Sequence, residues 1–259
     1  MDELEHPYAR VGSALTGSAF SRILYKENTG STNDDAARLL GDGAFAGATL
    51  VSEYQTAGAG RLGRTWVGQA GSSLLFTTIL PNELPAEDLW VTTFWCALAL
   101  HRALASLAIE TDVHWPNDLL IGQRKVAGIL CVSRVNGGRA WAACGAGINV
   151  HRTPGGDAGI VPPPSYCDDV APVTRPQVLH ATLSAYDELL PLLGDPPAIV
   201  RAWEKAAGLP GRRYRIQRDG GEDAFECSAL SLDSGGALIV SRDGATTESV
   251  SLADARALR

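Results

Sequence analysis

The stretch Gln55–Trp66, reading Q-T-A-G-A-G-R-L-G-R-T-W, limits what this chain can build more than any other. It holds three glycines and two arginines, and no acidic residue occurs from Tyr54 to Asn82, although the chain as a whole has a formal charge of −7. Glycine lets a backbone come close to a ligand and present its N–H groups. A guanidinium offers forked donors to carboxylate or phosphate. The stretch therefore reads as an anion-binding loop between two strands, Ala48–Glu53 and Ser73–Leu80, with a glycine-rich surface turn as the plainer alternative.

Gly58, Gly60 and Gly63 also satisfy G-x-G-x-x-G. A dinucleotide site needs a helix opening at the last glycine and an acid about 20 residues further on. Here Arg64-Thr65-Trp66-Val67-Gly68 and then Gly71 lead into a second strand, and the first acid is Glu83 beyond it. That order argues against a Rossmann site.

Over the whole chain, 22 basic against 29 acidic residues argue against non-specific nucleic-acid binding. The N-terminus, Met-Asp-Glu-Leu-Glu-His-Pro, lacks an apolar signal core. The longest apolar run, Phe94–Ile109, is broken by His101 and Arg102, so no membrane span is expected. Five cysteines without metal-ligand spacing suggest reduced thiols and a cytoplasmic protein, with Cys131 and Cys144 in the core.

In chain order, residues 1–20 read as an irregular segment, followed by a short strand at Arg22–Glu27. Ser31 or Thr32 caps a helix through Leu40, and Asp88–Leu107 is a long apolar helix. Val113–Trp115 enters a turn at Pro116-Asn117-Asp118. Strands at Lys125–Ser133 and Arg139–Ala146 are joined as a hairpin by Asn136-Gly137-Gly138. Arg152–Pro176 contains six of the 14 prolines and reads as a loop. Thr174-Arg175-Pro176-Gln177 is a capping box opening a helix to about Leu193, and Pro197–Ala207 is another helix ended by Gly208. Beyond Pro210, short strands at Tyr214–Gln217, Phe225–Leu232 and Ala237–Val240 alternate with Asp/Gly turns and describe a small all-β module.

Five motifs in register resemble the biotin protein ligases: Gly30-Ser31-Thr32-Asn33, the arginine loop, Trp115-Pro116-Asn117-Asp118, Lys125-Val126-Ala127-Gly128-Ile129-Leu130 and Gly147-Ile148-Asn149-Val150. The likeness runs from about Arg22 to Val150 and is weaker beyond. It implies an α+β fold with a mixed sheet flanked by helices over residues 21–210, and a small SH3-like all-β domain over 211–259. It also implies ATP and biotin as substrates, Mg²⁺ carried with ATP, a biotinyl-5′-AMP intermediate, and transfer to a biotin carboxyl carrier protein domain. A monomer or weak homodimer is expected.

A pocket for biotin needs a few placed hydroxyls and amides in an apolar setting, which Ser31, Thr32 and Gln55 fit; their plainer role is helix capping and an ordinary polar loop. By resemblance the biotin set extends to Asn33, Gly58, Ala59, Gly60, Arg61, Lys125 and Gly128. Activating a carboxylate with ATP brings two anions together, so cations aimed at the α-phosphate carry the catalysis. Arg61 and Lys125 are the candidate catalytic residues, and the small Ala127 and Gly128 would let a ligand lie against the strand. The ATP set adds Arg64, Trp66 over adenine, Asn117, Asp118 and Asn149 at adenine's edge. No dedicated metal site is expected.

Two positions depart from the family pattern. Ala59 stands where the loop has its first arginine, and His114 where a lysine precedes W-P-N-D. A lipoate or octanoate ligase, a biotin-responsive repressor and a non-catalytic biotin sensor remain as alternatives. The first 20 residues are too short for a helix-turn-helix, so no operator binding is expected.

Overall fold

The computed structural model describes residues 6–157, 159–218, 223–242, 244, 246–252 and 255–258. The first five residues of the acidic N-terminus and the Asp/Gly turn at 219–222 lie outside them.

The chain opens with a short helix α1 (Ala9–Ala14), where the sequence suggested an irregular segment. Tyr8, Val11, Leu15 and Phe20 anchor that segment in the main core. Six helical residues give too short a period to register in the sequence, and tertiary burial stabilises them instead. Then follow β1 (Ile23–Thr29), α2 (Thr32–Leu39), β2 (Thr49–Gln55), β3 (Ser73–Ile79), β4 (Leu84–Pro85) and α3 (Val91–Ser106). Next come β5 (Asp112–His114), β6 (Asp118–Ile121), β7 (Arg124–Asn136) and β8 (Arg139–Asn149). The helices α4 (Arg175–Leu189) and α5 (Pro196–Ala207) complete this part.

These strands form one mixed sheet in the order β1-β2-β3-β8-β7-β6-β5, with β4 paired to β8. Only β1 and β2 run parallel; the other pairs are antiparallel. Every residue of β3 is buried, so its sequence shows an apolar run and no alternation. One face packs on α2 through Leu50, Ile79, Ala143, Ala36 and Leu40. The other face carries the large core shared with α3, α4 and α5. The β7–β8 turn has positive φ at both Gly137 (58°) and Gly138 (80°), as a tight primed hairpin requires. Cys144 is buried and faces the partly buried Cys131 across the β7–β8 pair.

A second, all-antiparallel sheet contains β9 (Arg213–Arg218), β10 (Ala224–Leu232), β11 (Leu238–Ser241), β12 (Thr247–Val250) and β13 (Ala255–Leu258), in the order β12-β11-β10-β9-β13. The last two strands were not legible in the sequence. Each has only four residues, too few to show a period, and pairing with β11 and β9 defines them. Likewise, the turn at Pro116 continues directly into β6, which the sequence gave no period to detect. Among the described residues, no helix is long and apolar enough to cross a membrane.

Candidate functional site

On the α2 side of the main sheet, a cavity of about 410 Å³ opens between the end of α2, the arginine loop and the strands β7 and β8. Three glycines make its floor. Gly128 on β7 pairs with Gly147 on β8, and Gly145 lies one pleat further along. The ring of Trp66 stands on this floor: a Cβ on Gly147 would come 2.5 Å from Trp66 Cε2, and one on Gly128 would come 3.0 Å from Trp66 Cζ3. Gly128 and Gly147 leave room for a ring where side chains would otherwise stand.

Lys125 reaches the cavity through a backbone irregularity. Lys125 and Gly128 are three residues apart, so in a regular strand they would face opposite sides. The β6–β7 register slips between Leu119 and Leu120, leaving Val126 as the extra residue of a bulge. A bulge re-aims the side chains beyond it, and Lys125 turns to the face of Gly128. Its Nζ then lies 2.6 Å from Asp118 Oδ1 and 5.5 Å from the centre of the Trp66 ring. Its backbone carbonyl accepts from Ser165 N (2.9 Å) and Asn149 Nδ2 (3.3 Å).

Arg61 enters from the loop. Its guanidinium donates to Asn117 Oδ1 (3.3 Å) and to the backbone carbonyls of Leu252 and Ala255 (3.3 Å for the latter), so the second sheet reaches the cavity. Burial holds its pKa below the ordinary arginine value; Asp118 works against that shift and Arg64 with it. Asn117 is fixed in turn by a donated bond to Ile129 O (2.7 Å) and an accepted one from Ile129 N (2.9 Å). Arg61, Arg64 and Lys125 face a single carboxylate, Asp118, among the described lining residues. The balance is two positive charges, suited to two anions brought together.

The opposite end of the cavity is neutral and polar. Ser31 caps α2, its Oγ accepting from Asn33 N at 3.2 Å. Gln55 Oε1 accepts from Thr32 N (2.8 Å) and Thr32 Oγ1 (3.0 Å). Asn33 Nδ2 donates to Leu130 O at 2.9 Å.

The cavity thus gathers Ser31, Thr32, Asn33, Gln55, Ala59, Gly60 and Gly128 with Arg61, Arg64, Trp66, Asn117, Asp118, Lys125 and Asn149. Gly58 lies behind the wall. Trp66 N donates to Gly58 O (2.9 Å), and a Cβ on Gly58 would sit 2.9 Å from Trp66 O, so this glycine lets the two limbs of the loop close. Ala59 pairs with Thr65 as a bridge across the same loop. His114 is buried on β5 and packs 4.8 Å from the ring of Tyr214, toward the second sheet.

Sequence reasoning missed the outer wall, where Thr153, Ile160, Pro162 and Tyr166 come from the proline-rich loop. Loop composition announces no particular contact; the signal available was only the density of prolines. It also missed Thr77, a buried threonine inside an apolar strand.

Residues 31–149 match the biotin/lipoate A/B protein ligase family. The chain is 34% identical over 134 residues to the bifunctional ligase/repressor BirA of Bacillus subtilis, a match covering 51% of this chain and 41% of that protein. It is 27% identical over 240 residues to the biotin–[acetyl-CoA-carboxylase] ligase of Mycobacterium tuberculosis, covering 86% and 88% of the two chains. The solved biotin protein ligase of Aquifex aeolicus, in complex with biotin and ATP, superposes with a TM-score of 0.72 at 22% identity. That match covers 92% of this chain and all of the other, and shows the shared fold. The matched segment includes α2, the loop and the β6–β8 strands, so the part of the chain that builds most of the cavity is similar to the biotin/lipoate A/B protein ligase family, and the chain shares the fold of the solved biotin protein ligase.

Proposed function

We propose that the protein activates biotin with ATP and transfers it to a lysine of a biotin carboxyl carrier protein domain. The observation that carries this reading is the cavity's two-ended chemistry: a hydroxyl and amide cluster at α2, and three cations around one carboxylate at the bulge. In the first step a biotin carboxylate oxygen attacks the α-phosphorus of ATP, pyrophosphate leaves with its magnesium, and biotinyl-5′-AMP remains. Lys125 and Arg61 offset the repulsion between the two anions and stabilise the charge that builds on the α-phosphate. In the second step the carrier's lysine amine attacks the acyl carbon and AMP departs. No enzyme nucleophile is required. Closure of the loop keeps water from the anhydride. The curated relatives named as ligases support this reading, and we place the reaction in the cytoplasm on its five unpaired cysteines.

Incubation with biotin, Mg-ATP and a purified carrier domain is expected to label one carrier lysine. Octanoate in place of biotin is expected to give no modification. Efficient octanoyl transfer would assign the chain to the other branch of that family.

Trp66 bears on how ATP is held. Trp66→Ala is expected to weaken ATP binding by about 1–3 kcal/mol, the usual value of a base stacked on an aromatic ring, and biotin binding by less. Calorimetric titration of each substrate checks this. Equal losses in both affinities would make Trp66 a piece of wall with no part in holding adenine.

A further inference from the structure

We propose that Thr77 is a positioning residue for biotin, acting through Thr32 and Asn33. This rests on the reading above and adds a residue that does not itself line the cavity. Thr77 is fully buried on β3, directly opposite Gly145 of β8, on the sheet face that α2 covers. Its neighbours on that face, Leu50 and Ile79, are apolar and pack against Ala36 and Leu40 of α2. A hydroxyl has no packing reason to be there, and a buried hydroxyl without a partner is costly.

Its partners explain it. Thr77 Oγ1 lies 2.7 Å from Asn33 Oδ1 and 2.8 Å from Thr32 Oγ1, so its one proton is available to either acceptor. The Asn33 amide occupies the space above Gly145, where a Cβ would come 2.0 Å from Asn33 Oδ1. With Leu130 O accepting from Asn33 Nδ2 at 2.9 Å, that amide is held from both sides, by β3 and by β7. Thr32 is held between Thr77 beneath it and Gln55 Oε1 beside it. Thr77 therefore sets the rotamers of the first two residues of α2, and through Thr32 the orientation of the Gln55 amide. Small displacements of such groups change how well a ligand is held.

The test uses the full chain with biotin and ATP as probes. Thr77→Val has nearly the same shape and removes only the hydroxyl. It is expected to raise the dissociation constant for biotin roughly ten- to a hundredfold, as when a buried acceptor loses its partner, with ATP affinity within about twofold of wild type. Thr77→Ser restores the hydroxyl and is expected to recover biotin binding. Unchanged biotin affinity in Thr77→Val overturns the proposal. So does failure of Thr77→Ser to recover binding, which would give the role to the methyl group, and so does a parallel loss of ATP affinity, which would mark a general disturbance of the sheet. If the valine protein does not fold, Thr77→Cys replaces it. Its weak S–H donor must bind biotin less well than Thr77→Ser, and equal affinities overturn the proposal. A wild-type protein that binds no biotin overturns the functional reading beneath it, and the two failures are told apart by that first titration.

Discussion

Lys125→Ala is expected to slow adenylate formation roughly 10²–10³-fold, the usual effect of removing one preorganised donor from a developing charge. The ammonium sits at the one place in the cavity where a bulge turns β7 toward the glycine floor. Its partner Asp118 belongs to the neighbouring strand, so the charge is held without a ligand's help. Stability is expected to change little by comparison. The Lys125–Asp118 pair is partly open to solvent, with side-chain exposures of 23% and 13%, and truncating one partner of such a pair is expected to cost about 1 kcal/mol. For a chain of this size that lowers the melting temperature by about 2–4 °C. Single-turnover measurement of biotinyl-5′-AMP formation, beside a thermal melt, separates the two effects. A mutant that forms adenylate at the wild-type rate would remove Lys125 from the chemistry, and one that unfolds would make it a structural ion-pair residue.

Gly145→Ala is expected to damage both the fold and biotin binding. Gly145 has no positive φ, so the backbone itself tolerates alanine, and the smaller unfolded-state entropy of alanine would favour the substitution by about 0.4–1 kcal/mol. Contact decides against it. The new Cβ would lie 2.0 Å from Asn33 Oδ1 and 2.7 Å from the backbone oxygen of Leu130. The carbonyl is fixed in the β7–β8 ladder, so Asn33 must leave, and its bonds to Leu130 and Thr77 go with it. Overpacking typically costs about 1–3 kcal/mol, and the acceptors left behind add to that. A melting temperature lowered by more than about 4 °C, with biotin affinity lost, is the expected pair of observations. An alanine variant as stable as wild type would show that Asn33 does not fill the space over Gly145.

Much of this was visible in the chain. The arginine loop announced itself by glycines, arginines and missing acids, and the strands on either side by their apolar runs. The helix caps at Ser31 and Thr174 and the Asn136-Gly137-Gly138 turn are local devices, written in a few adjacent residues, and they form as expected. What stayed hidden depends on pairing between distant segments. The bulge at Val126 exists only in the register of β6 against β7. Thr77 looks like an ordinary strand threonine until α2 is laid over it. The carbonyls of Leu252 and Ala255 that receive Arg61 lie about 190 residues away in the chain and carry no side-chain signature. The short helix α1 owes its existence to the core it covers, since six residues cannot form a stable helix alone.

In the proposed reaction a single cavity joins biotin to AMP. Exchange of radiolabelled pyrophosphate into ATP tests it directly, because adenylate formation is reversible and needs no carrier protein. Label is expected to enter ATP only when biotin is present, with octanoate failing to replace it, and Lys125→Ala is expected to abolish most of the exchange. Biotin binding with no exchange at any enzyme concentration would contradict the account and leave the protein a biotin-binding sensor.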